Sequence, residues 1–215
     1  MKIKYLITAV AFIPLCIMPP AITGDDGRVF NGIDDPKALP MLRYLSYRHG
    51  GMNVPKADGR YLYDLIVKHR YRRGLEIGTS NGYSALWLGL AFKKNGGRLV
   101  TVEMERERGE EARENFMKAG LDGIIESVID DALRAIPKIE GTFDFIFIDA
   151  WKTDYIKYFR LLRHRMRPGG VITAHNVSGQ SRSMADFLEA LTSDPGLETK
   201  IINTSSEGIS VSFVR

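Results

Sequence analysis

The stretch LEIGTSNGYS, residues 75–84, runs from an apolar segment through two glycines into the start of a helical pattern. Gly78 and Gly82 allow the backbone to turn sharply and to approach a ligand closely. The free N–H groups at the start of the following helix favour a polar or anionic group. The stretch therefore predicts the first strand-to-helix turn of an α/β fold, with a ligand site at the turn.

Short apolar runs alternate with amphipathic segments from residue 54 onward. We predict strands at residues 74–77, 98–102, 124–129, 143–148, 171–174, 198–203 and 209–214. We predict helices at residues 40–48, 59–69, 83–94, 105–119, 132–136, 154–166 and 181–192. This alternation predicts a Rossmann-like α/β fold, a seven-stranded and mostly parallel sheet with helices on both faces. Only a short loop containing TSSEG separates the last two strands, so we expect an antiparallel C-terminal hairpin at one edge.

The N-terminus has the layout of a targeting segment. Two lysines precede an uncharged apolar run that ends at Ile22, and two aspartates follow. Residues 1–24 are therefore interpreted as a signal peptide or a membrane anchor, with a tether through residues 5–22 as the second option. We expect residues 25–52 to form a linker and a cap, and residues 53–215 to form the main domain.

Composition excludes several classes of protein. Cys16 is the single cysteine, so neither an internal disulfide nor a cysteine metal site is expected. The formal net charge is +4, and much of it lies in one patch, Lys68, His69, Arg70, Arg72 and Arg73. This patch closes a predicted helix, where cations complement the helix dipole. No basic stripe with interleaved aromatic residues is present, so we expect no nucleic-acid partner.

Acidic residues follow two further strands and suggest a nucleoside ligand. Glu103 ends the second predicted strand, 21 residues after Gly82, where an acid can accept both ribose hydroxyls. Asp131 could accept a hydrogen bond from an adenine amino group. The turn departs from G-x-G-x-x-G, and Glu76 would repel a pyrophosphate but suit an ammonium group. The pattern favours S-adenosylmethionine over a dinucleotide, which leaves a nicotinamide oxidoreductase as a weaker alternative.

A second polar group is expected on the same edge of the sheet. Asp149 follows the fourth predicted strand, and His175 and Asn176 follow the fifth. A carboxylate, an imidazole and an amide carbonyl on adjacent strands could bind a divalent cation. Lys152 could then act as a base toward a bound hydroxyl.

Five segments carry a resemblance to a known family: LEIGTSNGYS, TVE (101–103), FIDAWKTDY (147–155), RPGGVITAHNV (167–177) and MNVPKADG (52–59). Together they resemble the cation-dependent, class I S-adenosylmethionine-dependent O-methyltransferases, the group that contains the catechol and caffeoyl-CoA enzymes. The resemblance runs in order from about residue 52 to the C-terminus. It implies that residues 53–215 form a methyltransferase domain.

The resemblance also implies an activity, methyl transfer to a hydroxyl of a small, phenolic acceptor, with a magnesium-like ion holding the acceptor oxygen. It implies roles for Lys152 and Asp149 in catalysis, and for Trp151 and Met52 in the substrate pocket. The resemblance implies Asp149 and Asn176 as metal ligands, and the strand-end pattern adds His175 as the third predicted ligand. The implied cofactor contacts are Val54, Glu76, Gly78, Ser80, Ser84, Glu103, Asp131 and Asp149.

Two residues depart from the family pattern. His175 stands where the family has aspartate, which favours a softer ion, or loss of the metal with His175 acting as a base. Ile201 aligns with the acid that holds a catechol hydroxyl, so the sequence does not support a catechol acceptor. A binding module that keeps S-adenosylmethionine without transferring methyl groups is the other alternative.

The location and assembly of the chain stay open at this stage. The N-terminus suggests a secretory, periplasmic or membrane-anchored protein, whereas the cofactor suggests access to the cytosol. The oligomeric state is undetermined, with a homodimer as one arrangement.

Overall fold

The computed structural model describes residues 27–48, 53–178 and 183–215. The predicted leader and tether, Cys16 and the predicted substrate residue Met52 lie outside these ranges. Within the described ranges, no helix combines the length and the apolar character needed to cross a membrane. The segment 27–48 contributes Leu42 and Leu45, both fully buried, to the same core as the residues that follow it.

One sheet organises the described part of the chain. Its strands are β1 (Arg73–Ile77), β2 (Arg98–Glu103), β3 (Ile125–Ile129), β4 (Phe143–Ile148), β5 (Met166–His175), β6 (Leu197–Ile202) and β7 (Ile209–Val214). They lie in the order β3-β2-β1-β4-β5-β7-β6. The first five pair in parallel, and β7 runs antiparallel to both β5 and β6. The predicted seven-stranded sheet with an antiparallel C-terminal hairpin is confirmed.

Helices cover both faces of this sheet. They are α1 (Ala38–Tyr47), α2 (Lys56–His69), α3 (Tyr83–Asn95), α4 (Arg106–Ala119), α5 (Ala132–Ala135), α6 (Tyr155–Leu162) and α7 (Ala185–Ser193). The first four pack on one face and the last three on the other. The side chains of β4 are apolar on both faces of the sheet. Phe145 and Phe147 belong to the core on one face and Ile146 belongs to the core on the other, so helices must bury both faces.

Some predicted boundaries were wrong. The pattern at residues 154–166 predicted one helix, but α6 ends at Leu162, a 3₁₀ turn follows at Arg163–Arg165, and Met166 already belongs to β5. Helical spacing of apolar residues continues through the turn, whereas Pro168 cannot continue a helix. The early start of β5 does not move its carboxyl end, where His175 pairs with Ile209.

Backbone hydrogen bonds between neighbouring parallel strands continue for one residue beyond the ends of β1 and β4. The N–H of Gly78 donates to the carbonyl of Val102 at 2.9 Å, and the N–H of Asp149 donates to the carbonyl of Ile77 at 2.9 Å. Gly78 has a φ of +100°, and a side chain there would overlap the carbonyl oxygen of Asp149. The turn after β1 and the turn after β4 can therefore touch only because residue 78 is glycine.

We expect Gly78→Ala to lower the free energy of unfolding by about 2–4 kcal/mol, because it combines an unfavourable φ with backbone overlap. Gly123→Ala is the matched control, since no atom of the described residues lies within 4 Å of the added methyl group. Its effect should stay within about 0.5 kcal/mol. Urea denaturation of both variants measures the difference, and equal midpoints would contradict the steric account of the turn.

Candidate functional site

A cavity of about 700 Å³ opens at the carboxyl edge of the parallel strands. The ends of β1 to β5 form its floor, and Glu207 from the loop between β6 and β7 forms part of one wall. This is the edge at which open α/β sheets bind ligands. The volume is in the range of small-molecule and cofactor sites.

Most of the residues predicted from the sequence meet at this cavity. Those that line it are Val54, Gly78, Ser80, Ser84, Glu103, Asp131, Asp149, Trp151, Lys152, His175 and Asn176. Trp151 stands at the mouth with 65% of its surface exposed. Glu76 is fully buried and does not line the cavity, and Met52 lies outside the described residues.

The glycine turn is shaped by the acid that ends β2. One oxygen of Glu103 accepts the N–H of Ser80 at 2.7 Å, and the other accepts the N–H of Glu105 at 3.0 Å. Ser80 has a φ of +49°, an uncommon conformation for a residue with a side chain. Glu103 therefore holds the turn in place, and its remaining lone pairs face the cavity that it lines.

The acid after β3 has a structural role that the sequence did not reveal. Asp131 caps α5, because its Oδ1 accepts the N–H of Leu133 at 2.8 Å. The same residue lines the cavity, so one carboxylate oxygen stabilises the helix while the side chain remains next to the ligand space.

Glu76 lies inside β1, beneath the glycine turn. Its Oε2 accepts the hydroxyl of Thr101 at 2.5 Å, and within the described structure its Oε1 is buried without a hydrogen-bond partner. Burial raises the pKa of Glu76 to about 8, although the nearby hydroxyls of Ser84 and Thr101 offset part of this effect. The carboxyl is therefore largely protonated at neutral pH until a positive group approaches it.

Asp149 and Lys152 form a half-buried ion pair at the end of β4. Lys152 Nζ lies 2.9 Å from Asp149 Oδ1 and donates to the hydroxyl of Tyr155 at 2.7 Å. Burial alone would raise the pKa of Asp149, but His175 and Lys152 together hold it below its usual value. Tyr155 is fully buried on α6, and burial and Asp149 both raise the pKa of its hydroxyl well above the usual value.

His175 lies between two carboxylates. Its Nε2 is 2.8 Å from Asp58 Oδ2, and its Nδ1 is 3.3 Å from Asp149 Oδ2. Burial by itself would lower the pKa of the ring, but the two carboxylates raise it to about 9. Asp58 has no exposed surface and also accepts the hydroxyls of Thr204 and Ser205.

Sequence reasoning missed Asp58, Glu207 and Tyr155. Asp58 lies in the first turn of α2, and Glu207 lies in the TSSEG loop, where it accepts the side-chain amide of Asn176. Nothing in their local patterns distinguishes them from surface acids. Ile201, the residue aligned with the acid of the catechol enzyme, is 45% exposed and does not line the cavity, whereas Glu207 does.

The three predicted metal ligands do not fit a divalent cation. Both oxygens of Asp149 face cationic groups, and both ring nitrogens of His175 face carboxylates. The amide nitrogen of Asn176 donates to Glu207, so this residue could offer a metal ion only its carbonyl oxygen, without support from Asp149 or His175. In the described ranges no group of three or more His, Cys, Asp or Glu side chains has a geometry that would hold a metal ion.

The cavity is strongly acidic. Its carboxylates are Glu103, Glu105, Asp130, Asp131, Asp149, Asp154 and Glu207, and its basic side chains are Arg108, Lys152 and His175. Such a surface attracts a cationic ligand and repels a pyrophosphate. The arrangement can therefore hold a positively charged nucleoside and present Lys152 to a second molecule.

Comparison with known protein families places this site in context. A family model described as O-methyltransferase matches residues 31–203. A catechol O-methyltransferase of Mycobacterium tuberculosis is 32% identical over 178 residues, which cover 75% of this chain and 80% of the relative. A catechol O-methyltransferase of Niastella koreensis is 35% identical over 130 residues, so the match spans 58% of that relative's length.

Solved structures give the same result. An O-methyltransferase from Bacillus cereus in complex with SAH superimposes with a TM-score of 0.77 at 27% identity, over 88% of this chain and 96% of the other. An O-methyltransferase of tomaymycin synthesis from Streptomyces achromogenes in complex with SAM has a TM-score of 0.71 at 29% identity, over 83% of this chain and 87% of the other. Proteins of this fold are thus known with the cofactor bound.

We expect Glu76→Gln to change how stability depends on pH. The carboxyl has a pKa near 4.5 when unfolded and about 8 when folded, so the folded chain binds its proton more tightly. This contribution is complete below about pH 4.5 and is lost as the pH rises toward about 8, by at most about 1.4 kcal/mol per pH unit.

The variant lacks this titration. In urea denaturation at several pH values from about 5 to 8, the wild-type chain should lose stability relative to Glu76→Gln as the pH rises. Thr192→Val on α7, outside the cavity, serves as the control and should follow the wild-type curve. Parallel curves for Glu76→Gln and the wild type would contradict the raised pKa.

Proposed function

This chain belongs to the O-methyltransferase family, and from that membership we propose that it transfers a methyl group from S-adenosylmethionine to a hydroxyl of a small phenolic acceptor. The observation that carries the proposal is the cavity, which joins the glycine turn and Glu103 at one end to Lys152 at the other. Several relatives are named for catechol or caffeoyl-CoA, which supports a phenolic acceptor.

The cofactor end of the cavity suits S-adenosylmethionine. Gly78 leaves room for close approach to the backbone, and Glu103 offers its remaining lone pairs to ribose hydroxyls. The acidic lining of the cavity complements a ligand that carries a sulfonium and an ammonium group. The same charge argues against a nicotinamide dinucleotide, because the acidic lining would repel its pyrophosphate.

The acceptor end lies around Lys152. Trp151 stands at the mouth, where its exposed ring can cover a flat aromatic acceptor. Glu207 also lines the cavity and can accept a hydrogen bond from a second hydroxyl. In the catechol enzyme an acid has this role, and Ile201 stands at the corresponding position of this chain. An acceptor with two neighbouring hydroxyls therefore satisfies both Lys152 and Glu207.

The residues around Lys152 support proton removal from the acceptor. A phenol and a lysine have similar intrinsic pKa values, about 10, so transfer of the proton to the amine is nearly balanced. Asp149, 2.9 Å away, stabilises the ammonium that forms. When bound, S-adenosylmethionine supplies a sulfonium methyl group to the phenolate, which leaves a neutral ether and a neutral thioether. The cavity then needs only to hold the two reactants in line.

A binding module without methyl transfer is the second candidate. Lys152 Nζ already donates to both Asp149 and Tyr155, so the amine is engaged within the protein before an acceptor arrives. A panel of phenols and catechols, analysed by mass spectrometry for a methylated product, separates the two functions. Product formation supports the enzyme, and tight cofactor binding without product supports the module.

We expect the purified chain to bind S-adenosylmethionine in isothermal titration calorimetry, because the cavity complements a cationic nucleoside. NAD, with its pyrophosphate, is the matched ligand and should give no measurable heat. The result that would sink the proposed activity is the absence of S-adenosylmethionine binding by a folded sample.

We expect Lys152→Ala to lower kcat by about 10²- to 10⁴-fold, the usual contribution of a positioned proton acceptor. Cofactor affinity should stay within a factor of about three, because Lys152 lies at the acceptor end. Lys200→Ala is the control, since Lys200 is an exposed residue of β6 that pairs with Glu198 outside the cavity. Unchanged turnover in Lys152→Ala would exclude the proposed role of this lysine.

A further inference from the structure

We infer that His175 itself provides the fixed positive charge beside Asp149, and that this site works without a divalent cation. The role in methyl transfer rests on the proposed function, whereas the charge state of the ring and the absence of a cation site are tested without turnover. The inference follows from the mismatch between the cation expected from the family likeness and the side chains that this chain places there.

The geometry around the imidazole is that of a doubly protonated ring. Each ring nitrogen faces a carboxylate, Asp58 at 2.8 Å and Asp149 at 3.3 Å, and Glu207 lies 3.6 Å from Nδ1. A neutral ring would leave one unprotonated nitrogen facing a carboxylate oxygen, an unfavourable contact between two acceptors. Only 2% of the side chain is exposed, so water cannot relieve that contact.

Asp58 is built to remain ionised. Besides His175, it accepts the hydroxyl of Ser205 at 2.7 Å and that of Thr204. Burial would raise its pKa, but the hydrogen bond from His175 and the two hydroxyls hold the pKa below the usual value. A buried, hydrogen-bonded carboxylate of this kind fixes the proton on Nε2 and orients the ring.

The contacts of His175 and Asp149 leave neither side chain free for a divalent cation. His175 can bind a metal ion only through a ring nitrogen, and each ring nitrogen already faces a carboxylate, Asp58 or Asp149. Asp149 is placed between two cations, with Lys152 Nζ 2.9 Å from one oxygen and His175 on the other side. A third positive centre beside Asp149 would be repelled by both.

His175 also changes the charge that the acceptor meets. With a neutral ring, Lys152 would be the one cation among the described residues beside Asp149 to balance the charges of Asp58, Asp149 and Glu207, and this excess of negative charge would oppose formation of a phenolate. The imidazolium cancels one of these charges at a fixed position that requires no exchange with solvent. His175 is thus a positioning and charge-balancing residue, and the proton of the acceptor still goes to Lys152.

The first test measures cation binding by the wild-type chain. After treatment with chelator, calorimetric titration with MgCl₂, MnCl₂ and ZnCl₂ should show no site tighter than about 1 mM. The ¹⁵N NMR spectrum of the histidine rings should show both nitrogens of His175 protonated at neutral pH. Stoichiometric cation binding, or a single protonated nitrogen on His175, would overturn the inference.

The second test restores the family's carboxylate. The double variant Asp58→Asn, His175→Asp places an acid beside Asp149 and removes the buried negative partner. We expect divalent cations at saturation to raise its Tm by roughly 5 °C, a shift typical of a ligand that binds only the folded state. His164→Asp, which lies outside the cavity, is the matched control and should show no shift. If the double variant does not fold, the wild-type measurements still decide the question.

A chelator assay connects the inference to turnover. If the chain methylates a phenol, its rate should be the same with and without EDTA, and loss of the rate in EDTA would overturn the inference. Failure to bind S-adenosylmethionine, or failure to turn over any acceptor, would count against the proposed function alone. The cation titration and the NMR spectrum of the same sample would still test the charge of His175 and the absence of a cation site.

Discussion

The buried ring of His175 joins parts of the chain that are far apart in sequence. It ends β5, contacts Asp58 on α2 across 117 residues, and contacts Asp149 at the end of β4. Through Asp58 it also reaches Thr204 and Ser205 in the loop between β6 and β7. Because low dielectric strengthens each of these contacts and penalises an unpaired charge, the group is stable only when all its members are in place. The acceptor end of the cavity is built on this network.

The cofactor end follows a different principle. There the protein places carboxylates where a cationic ligand would lie, and it keeps Glu76 buried with an oxygen that has no partner in the described structure. The two ends therefore differ in how their charges are balanced. The acceptor end carries its own compensating cations, Lys152 and His175, whereas the cofactor end is left with excess negative charge that a sulfonium and an ammonium group would offset.

The fold and the edge that carries the site could be predicted from sequence because each depends on short-range signals. Apolar runs of strand length mark β1 to β4, and the glycines at 78 and 82 mark the turn after β1. Glu103 and Asp149 were predicted because they stand at the ends of those runs, and Lys152 because it lies three residues beyond Asp149. Asp58 and Glu207 were not found, because their place in the site comes from the packing of α2 and of the β6–β7 loop against β5. The ionisation state of His175 could not be predicted from sequence for the same reason, because it depends on Asp58, which lies 117 residues away in the chain.

The two tryptophans of the chain occupy opposite environments. Trp87 is fully buried on α3, where it stacks on Phe30 at 5.4 Å, whereas Trp151 is largely exposed at the mouth of the cavity. The fluorescence of an indole ring depends on the polarity around it and on contact with quenching groups. A ligand that covers the mouth of the cavity therefore changes the emission of Trp151, whereas the emission of Trp87 stays constant and serves as an internal standard. Intrinsic tryptophan fluorescence can therefore report binding at the acceptor end of the cavity without an attached dye.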